Sequence, residues 1–191
     1  MGEWLESLDW DVLQGDILAQ EADALVCTMK VSLAPYGTLG PALYERLGRK
    51  RFAEALLSAT LEQKGRARLL LGEAVSVPVN PDWGAKDFRY GRVIMAALWD
   101  DENRYTRALL YRLFSSVLGE IRRLELRSVV CSISQLDNVR EDGTHLFDLS
   151  VVQVLRENDA LKRPPRLERL CFMSSRAPDV ERLRIYLERQ L

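Results

Sequence analysis

The apolar positions of this 191-residue chain switch repeatedly between two periods, and the switches mark the elements. Residues 8–18 and 22–29 read as strands. The second, Ala22-Asp23-Ala24-Leu25-Val26-Cys27, opens a nearly continuous apolar run of the kind a strand covered on both faces needs. From 41 to 63 the period lengthens to that of a helix, with Leu43, Leu47, Phe52, Leu56 and Leu57 on one stripe and Pro41 in the first turn. Residues 72–79 and 93–99 return to strand patterning. A long amphipathic helix over 103–124 carries Leu109, Leu110, Leu113, Val117 and Ile121. A buried strand over 128–133, a helix over 144–158, a strand over 167–174 and a helix over 179–190 complete the chain.

This alternation predicts an α/β fold, a mixed and mostly parallel sheet with helices on both faces. Ligands in such sheets bind at the carboxyl ends of the strands. The loops 27–40 and 132–143 both leave carboxyl ends, so they are the first places to look for chemistry. Repeats and low-complexity tracts are absent from the sequence, and Lys162-Arg163-Pro164-Pro165 reads as a stiff connector. Residues 1–191 are therefore expected to form a single domain.

Composition narrows the function. Apolar residues make up 47% and charged residues 29%, which fits a soluble globular protein. A formal net charge of −1 argues against nucleic acid or an anionic membrane as partner. With no apolar run near the roughly 18 residues of a spanning helix and no signal-peptide pattern, a cytoplasmic location is expected. Cys27, Cys131 and Cys171 sit far apart in apolar runs and read as buried free thiols, not as a disulfide framework or a zinc site. His145 is the sole histidine, so a His-rich metal site is excluded; it is read as structural. Neither a metal nor a cofactor is expected.

Candidate chemistry gathers in three places. Gly15-Asp16-Ile17 sets a carboxylate at a strand end, where it either receives a hydrogen bond from a ligand or caps the following turn. Tyr36-Gly37-Thr38-Leu39-Gly40 precedes a helix, and a glycine-bearing loop at a helix N-terminus can hold phosphate through backbone N–H groups; a plain turn is the alternative. Ser132, Ser134, Gln135 and Asn138 offer hydroxyls and amides from the second loop, again with a purely structural loop as the alternative. Asp137 is either a general base or a stabiliser of its own turn. Lys30 is a cation near a ligand or a solvated surface residue, and Tyr36 and Trp99 either stack on a base, lie over the ribose, or serve as core and rim. Asp100-Asp101-Glu102-Asn103 suits a helix start and is given no catalytic role.

Taken together, Gly15-Asp16-Ile17, Ala22-Asp23-Ala24-Leu25-Val26, the glycine-bearing loop into the first helix, Leu71-Gly72-Glu73-Ala74-Val75 and the element order resemble a macro domain, the ADP-ribose-binding module. The resemblance covers nearly the whole chain and implies a three-layer α/β/α fold binding ADP-ribose or a related nucleotide diphosphate, free or carried on an ADP-ribosylated protein. It implies that Asp16 takes the adenine amino group and the Ile17 N–H a ring nitrogen. The diphosphate would lie between residues 36–43 and Ser132, Ser134, Gln135, Leu136 and Asn138. The distal ribose would lie near Thr28, Lys30 and Asp137.

The departures bear on activity. Cys27-Thr28-Met29-Lys30 stands where many members have N-A-A-N, and no acidic residue lies between Ala24 and Tyr44. Asp137 matches the aspartate of a branch acting on ADP-ribosyl esters, but Ala97-Leu98-Trp99 occupies the place of that branch's lysine. The expected function is nucleotide binding with weak or no hydrolysis. Hydrolysis through Asp137, or a closed cleft serving protein–protein interaction, are the alternatives.

Overall fold

The computed structural model describes residues 3–83, 85, 87–100, 106–133, 140–141 (by their backbone) and 144–191. Among these residues eight strands run in chain order: β1 (Asp9–Gln14), β2 (Glu21–Lys30), β3 (Ala74–Pro78), β4 (Arg89–Trp99), β5 (Ser128–Ser132), β6 (Arg140–Glu141), β7 (Thr144–His145) and β8 (Arg169–Ser174). β6 and β7 pair as a small antiparallel hairpin, and the other six form one sheet in the order β1-β8-β5-β2-β4-β3. All its pairings are parallel except that of β3 with β4. The carboxyl ends of β1, β8, β5, β2 and β4 therefore share one edge.

Side-chain alternation divides the core between the two faces of this sheet. On β2, Ala24 and Val26 join a cluster with Leu113 of α4 (Arg107–Arg123), Val151 of α5 (Leu146–Asp159), Leu183 of α6 (Ala177–Gln190) and Trp4 of the short α1 (Glu3–Ser7). Leu25, Cys27 and Met29 join the opposite cluster, with Leu43 of α2 (Leu39–Leu47) and Phe52 and Leu56 of α3 (Arg49–Lys64). The result is the expected three-layer α/β/α arrangement on a mixed, mostly parallel sheet. All three thiols are buried and free, and burial pushes Cys27 up to about 12 and Cys171 to about 11.

Several boundaries differ from the periodicity. The helix expected over 41–63 is two helices, because the chain leaves helical geometry at Gly48 (φ 84°, ψ 101°), a backbone state glycine reaches without a Cβ clash. α2 also begins at Leu39, so Pro41 is its third residue, where a missing N–H forfeits no intrahelical bond. The first strand stops at Gln14, and Asp16 caps a 3-10 turn over Ile17–Ala19. α4 starts at Arg107 with the Thr106 hydroxyl accepting the Leu109 N–H at 3.2 Å, while 103–105 lie outside the described residues. α1, the hairpin and a 3-10 turn at Pro81–Trp83 are too short to leave a periodic signal. Among the described residues no helix is long and apolar enough to cross a membrane, and no group of His, Cys, Asp and Glu is placed to hold a metal ion.

Candidate functional site

Asp16 owes its position to the parallel pairing of the strands beside it. Gly15 extends the β1–β8 ladder by donating its N–H to the Ser174 carbonyl at 3.1 Å, and from there the chain must turn back from the carboxyl edge to the start of β2. The turn is made by Asp16 itself. One carboxylate oxygen accepts the Leu18 N–H at 2.9 Å, and its carbonyl accepts the Ala19 N–H at 3.2 Å. The Tyr90 phenol donates to the Ile17 carbonyl and ties the turn to β4. Burial raises the Tyr90 phenol, and Cys171, Asp16 and Cys131 add to the effect, so it remains a donor. Leu18 is buried beneath, while Asp16 stays exposed at the sheet edge.

The facing wall is the first turn of α2. Thr38 precedes the helix with its side chain making no capping bond, and Thr38, Leu39 and Ala42 border the space in front of Asp16. The third side is the ends of β5 and β8, where Ser132, Met173, Ser174 and Ser175 come forward. Ser174 is buried; its hydroxyl donates to Asp179 at 3.2 Å and accepts the Arg176 N–H at 3.1 Å, so it braces the β8–α6 turn. Together with Gln14, Gly15, Ile17 and Leu18 these residues enclose about 450 Å³. That lies within the roughly 300–1,000 Å³ of small-molecule sites.

Of the residues picked from sequence, Asp16, Ile17, Thr38, Leu39 and Ser132 line this cleft, while Gly40 is buried in the first turn of α2 and is not among the lining residues. Gly40 has a packing duty that the sequence does not announce. Its N–H donates to the Tyr36 carbonyl at 3.2 Å, and a Cβ there would stand 3.2 Å from Pro35, so its smallness serves chain packing. Pro41 has no N–H, which leaves the helix start with fewer donors for an anion than its glycines suggest.

Thr28, Lys30, Tyr36 and Gly37 are not among the lining residues. Thr28 is buried in β2, on the face shared by Ala24 and Val26. Lys30 closes β2, its backbone N–H donating to the Ala34 carbonyl at 3.1 Å. Tyr36 stacks on Trp99, with ring centroids 5.1 Å apart and planes 14° from parallel. Gly37 makes an exposed turn at φ 64°. Ser134, Gln135, Leu136, Asp137 and Asn138 lie outside the described residues, as do Asp101, Glu102 and Asn103. His145 is buried at the N-cap of α5.

From sequence, Gln14, Leu18, Met173, Ser174 and Ser175 are not picked as cleft residues, Gly15 enters only through the Gly15-Asp16-Ile17 motif, and Ala42 only within the 36–43 segment expected at the diphosphate. The signal for Ser174 and Ser175 was present: Ser174 ends a strand and Ser175 follows it directly, at the same edge that drew attention to Ser132.

No protein-family model matches the sequence, and no curated protein matches it. Solved structures do match. The Oceanobacillus iheyensis macrodomain with ADP aligns at a TM-score of 0.68 and 15% identity, over 99% of this chain and 95% of that one. A mutant of the same macrodomain with ADPR gives 0.71 at 13% identity, over 99% and 97%. The Trypanosoma brucei macrodomain in complex with ADP-ribose gives 0.67 at 13% identity, over 93% of this chain and 68% of that one.

Proposed function

We propose that this chain, which has the macrodomain fold, acts as a single domain that binds ADP-ribose or a related adenine nucleotide diphosphate. The observation that carries the reading is Asp16, braced by its own turn yet exposed at the mouth of a 450 Å³ cleft at the carboxyl edge of the sheet. Macrodomain neighbours of the same fold hold ADP or ADP-ribose. In this reading the Asp16 carboxylate accepts the adenine amino group and the Ile17 N–H donates to a ring nitrogen. The phosphates meet the Thr38 hydroxyl, the Leu39 N–H and the positive end of the α2 dipole, with the Ser132 and Ser175 hydroxyls on the other side. With the chain's net charge at −1, these local donors supply the attraction for the anion.

Binding without efficient hydrolysis fits the lining best. Among the described residues Asp16 is the cleft's sole carboxylate, and it is engaged in holding its turn. The ligand is either the free nucleotide or the ADP-ribosyl group of a modified protein. Calorimetric titration with ADP-ribose tests the reading. Micromolar binding that weakens by about tenfold or more in Asp16→Ala is the expected result, and absence of heat at millimolar ligand would overturn the reading.

A further inference from the structure

Resting on that reading, we propose that recognition stops at the second phosphate: the cleft grips a nucleoside 5′-diphosphate, and a further ribose adds no affinity. Gln14 and Asp16 come from the end of β1, Ser174 and Ser175 from β8, and Ser132 from β5. These are three adjacent strands, so at about 4.8 Å between neighbours the floor spans about 10 Å along the sheet edge. A nucleotide anchored by its base at Asp16 uses that length for its nucleoside and its phosphates.

A longer ligand would have to continue along the edge over β2 and β4, and there the chain has built a wall. Residues 31–37 fold across the ends of both strands and are held there by backbone bonds. The Val31 N–H donates to the Trp99 carbonyl at 2.9 Å, the Leu33 N–H to Lys30 at 3.0 Å and the Lys30 N–H to Ala34 at 3.1 Å. Met29 and Pro35 form an isolated bridge, and the Tyr44 phenol donates to the Leu33 carbonyl at 2.7 Å. On this frame the Tyr36 ring lies flat against Trp99, so these two aromatic faces cover each other. Among the described residues the anion donors end at the same point. Gly40 spends its N–H on Tyr36, and Pro41 has none, which concentrates the helix's hold on phosphate at Thr38 and Leu39, next to the wall.

The test is a pair of titrations of the full chain, with ADP and with ADP-ribose, repeated on Trp99→Ala. Dissociation constants for the two ligands that agree within about threefold, with ADP affinity unchanged in the variant, are the expected result. ADP-ribose binding more than about threefold tighter than ADP in the wild type would overturn the proposal. So would a Trp99→Ala variant that loses affinity for ADP-ribose alone, since the stack would then be holding the second sugar. Should the variant fail to fold, the wild-type pair decides by itself. If neither ligand binds at millimolar concentration, the parent reading of the cleft falls instead, a result distinct from a preference for ADP-ribose.

Discussion

Asp16 carries two duties on one side chain: an oxygen that holds the Leu18 N–H and an exposed position facing the cleft. The two duties separate under substitution. Asp16→Asn keeps an acceptor for the turn and is expected to leave the thermal midpoint nearly unchanged, while Asp16→Ala costs roughly 0.5–2 kcal/mol, as lost caps do. Both lose nucleotide affinity by about tenfold or more, the worth of one charge-assisted hydrogen bond. Thermal unfolding and titration on the same samples check the split; an Asn variant that binds like the wild type would remove Asp16 from recognition. Asp16 was legible in the sequence because a carboxylate between glycine and isoleucine at a strand end is a local pattern. The packing demand on Gly40 was not legible, because the group that requires its smallness, Pro35, becomes its close neighbour only when the loop folds back.

Among the elements, the pair α2–α3 shows how a helix can be legible and its break hidden. Leu43, Leu47, Phe52 and Leu56 form one continuous-looking stripe, all fully buried, and the five-residue step from Leu47 to Phe52 is the trace left by the interruption. Gly48→Ala forces a side chain into a backbone with φ 84° and is expected to cost roughly 1–3 kcal/mol, read from chemical denaturation. The connection from α3 to β3 adds a pH dependence. Partial burial raises the Glu73 carboxyl, but the Arg66 guanidinium and the Leu70 N–H bonded to it, with the field of Lys64, outweigh that and leave it below its ordinary 4.5. A carboxyl lowered on folding stabilises the protein above its unfolded value and loses that contribution as pH falls through the folded one. Thermal midpoints measured downward from pH 5 should therefore fall less steeply in Glu73→Gln than in the wild type. Identical slopes would show that the Arg66 contact contributes nothing to the fold.

For the molecule as a whole, one sheet carries two cores, and the cysteines report on both: Cys27 and Cys171 lie in the α2–α3 layer, Cys131 in the layer of α4, α5 and α6. Burial raises all three thiols. At pH 8 a thiol reagent should label none of them in the native state and all three together through the unfolding transition, the signature of cooperative loss of both layers. Labelling of Cys131 at lower denaturant would mean that its layer opens alone. The alternation of strand and helix announced three layers and a mostly parallel sheet. The strand order was beyond it, since β8 inserts between β1 and β5 through pairings more than a hundred residues apart for β1. The cleft follows from that order, which is why the strand-end position of Ser174 and Ser175 shows in the sequence while their place beside Asp16 does not.

The most direct test of the central claim is a crystal structure of the protein grown with ADP. The adenine amino group is expected within hydrogen-bond distance of the Asp16 carboxylate, and the phosphates between Thr38, Leu39 and Ser132. Nucleotide density at any other surface, with the cleft in front of Asp16 vacant, would contradict it.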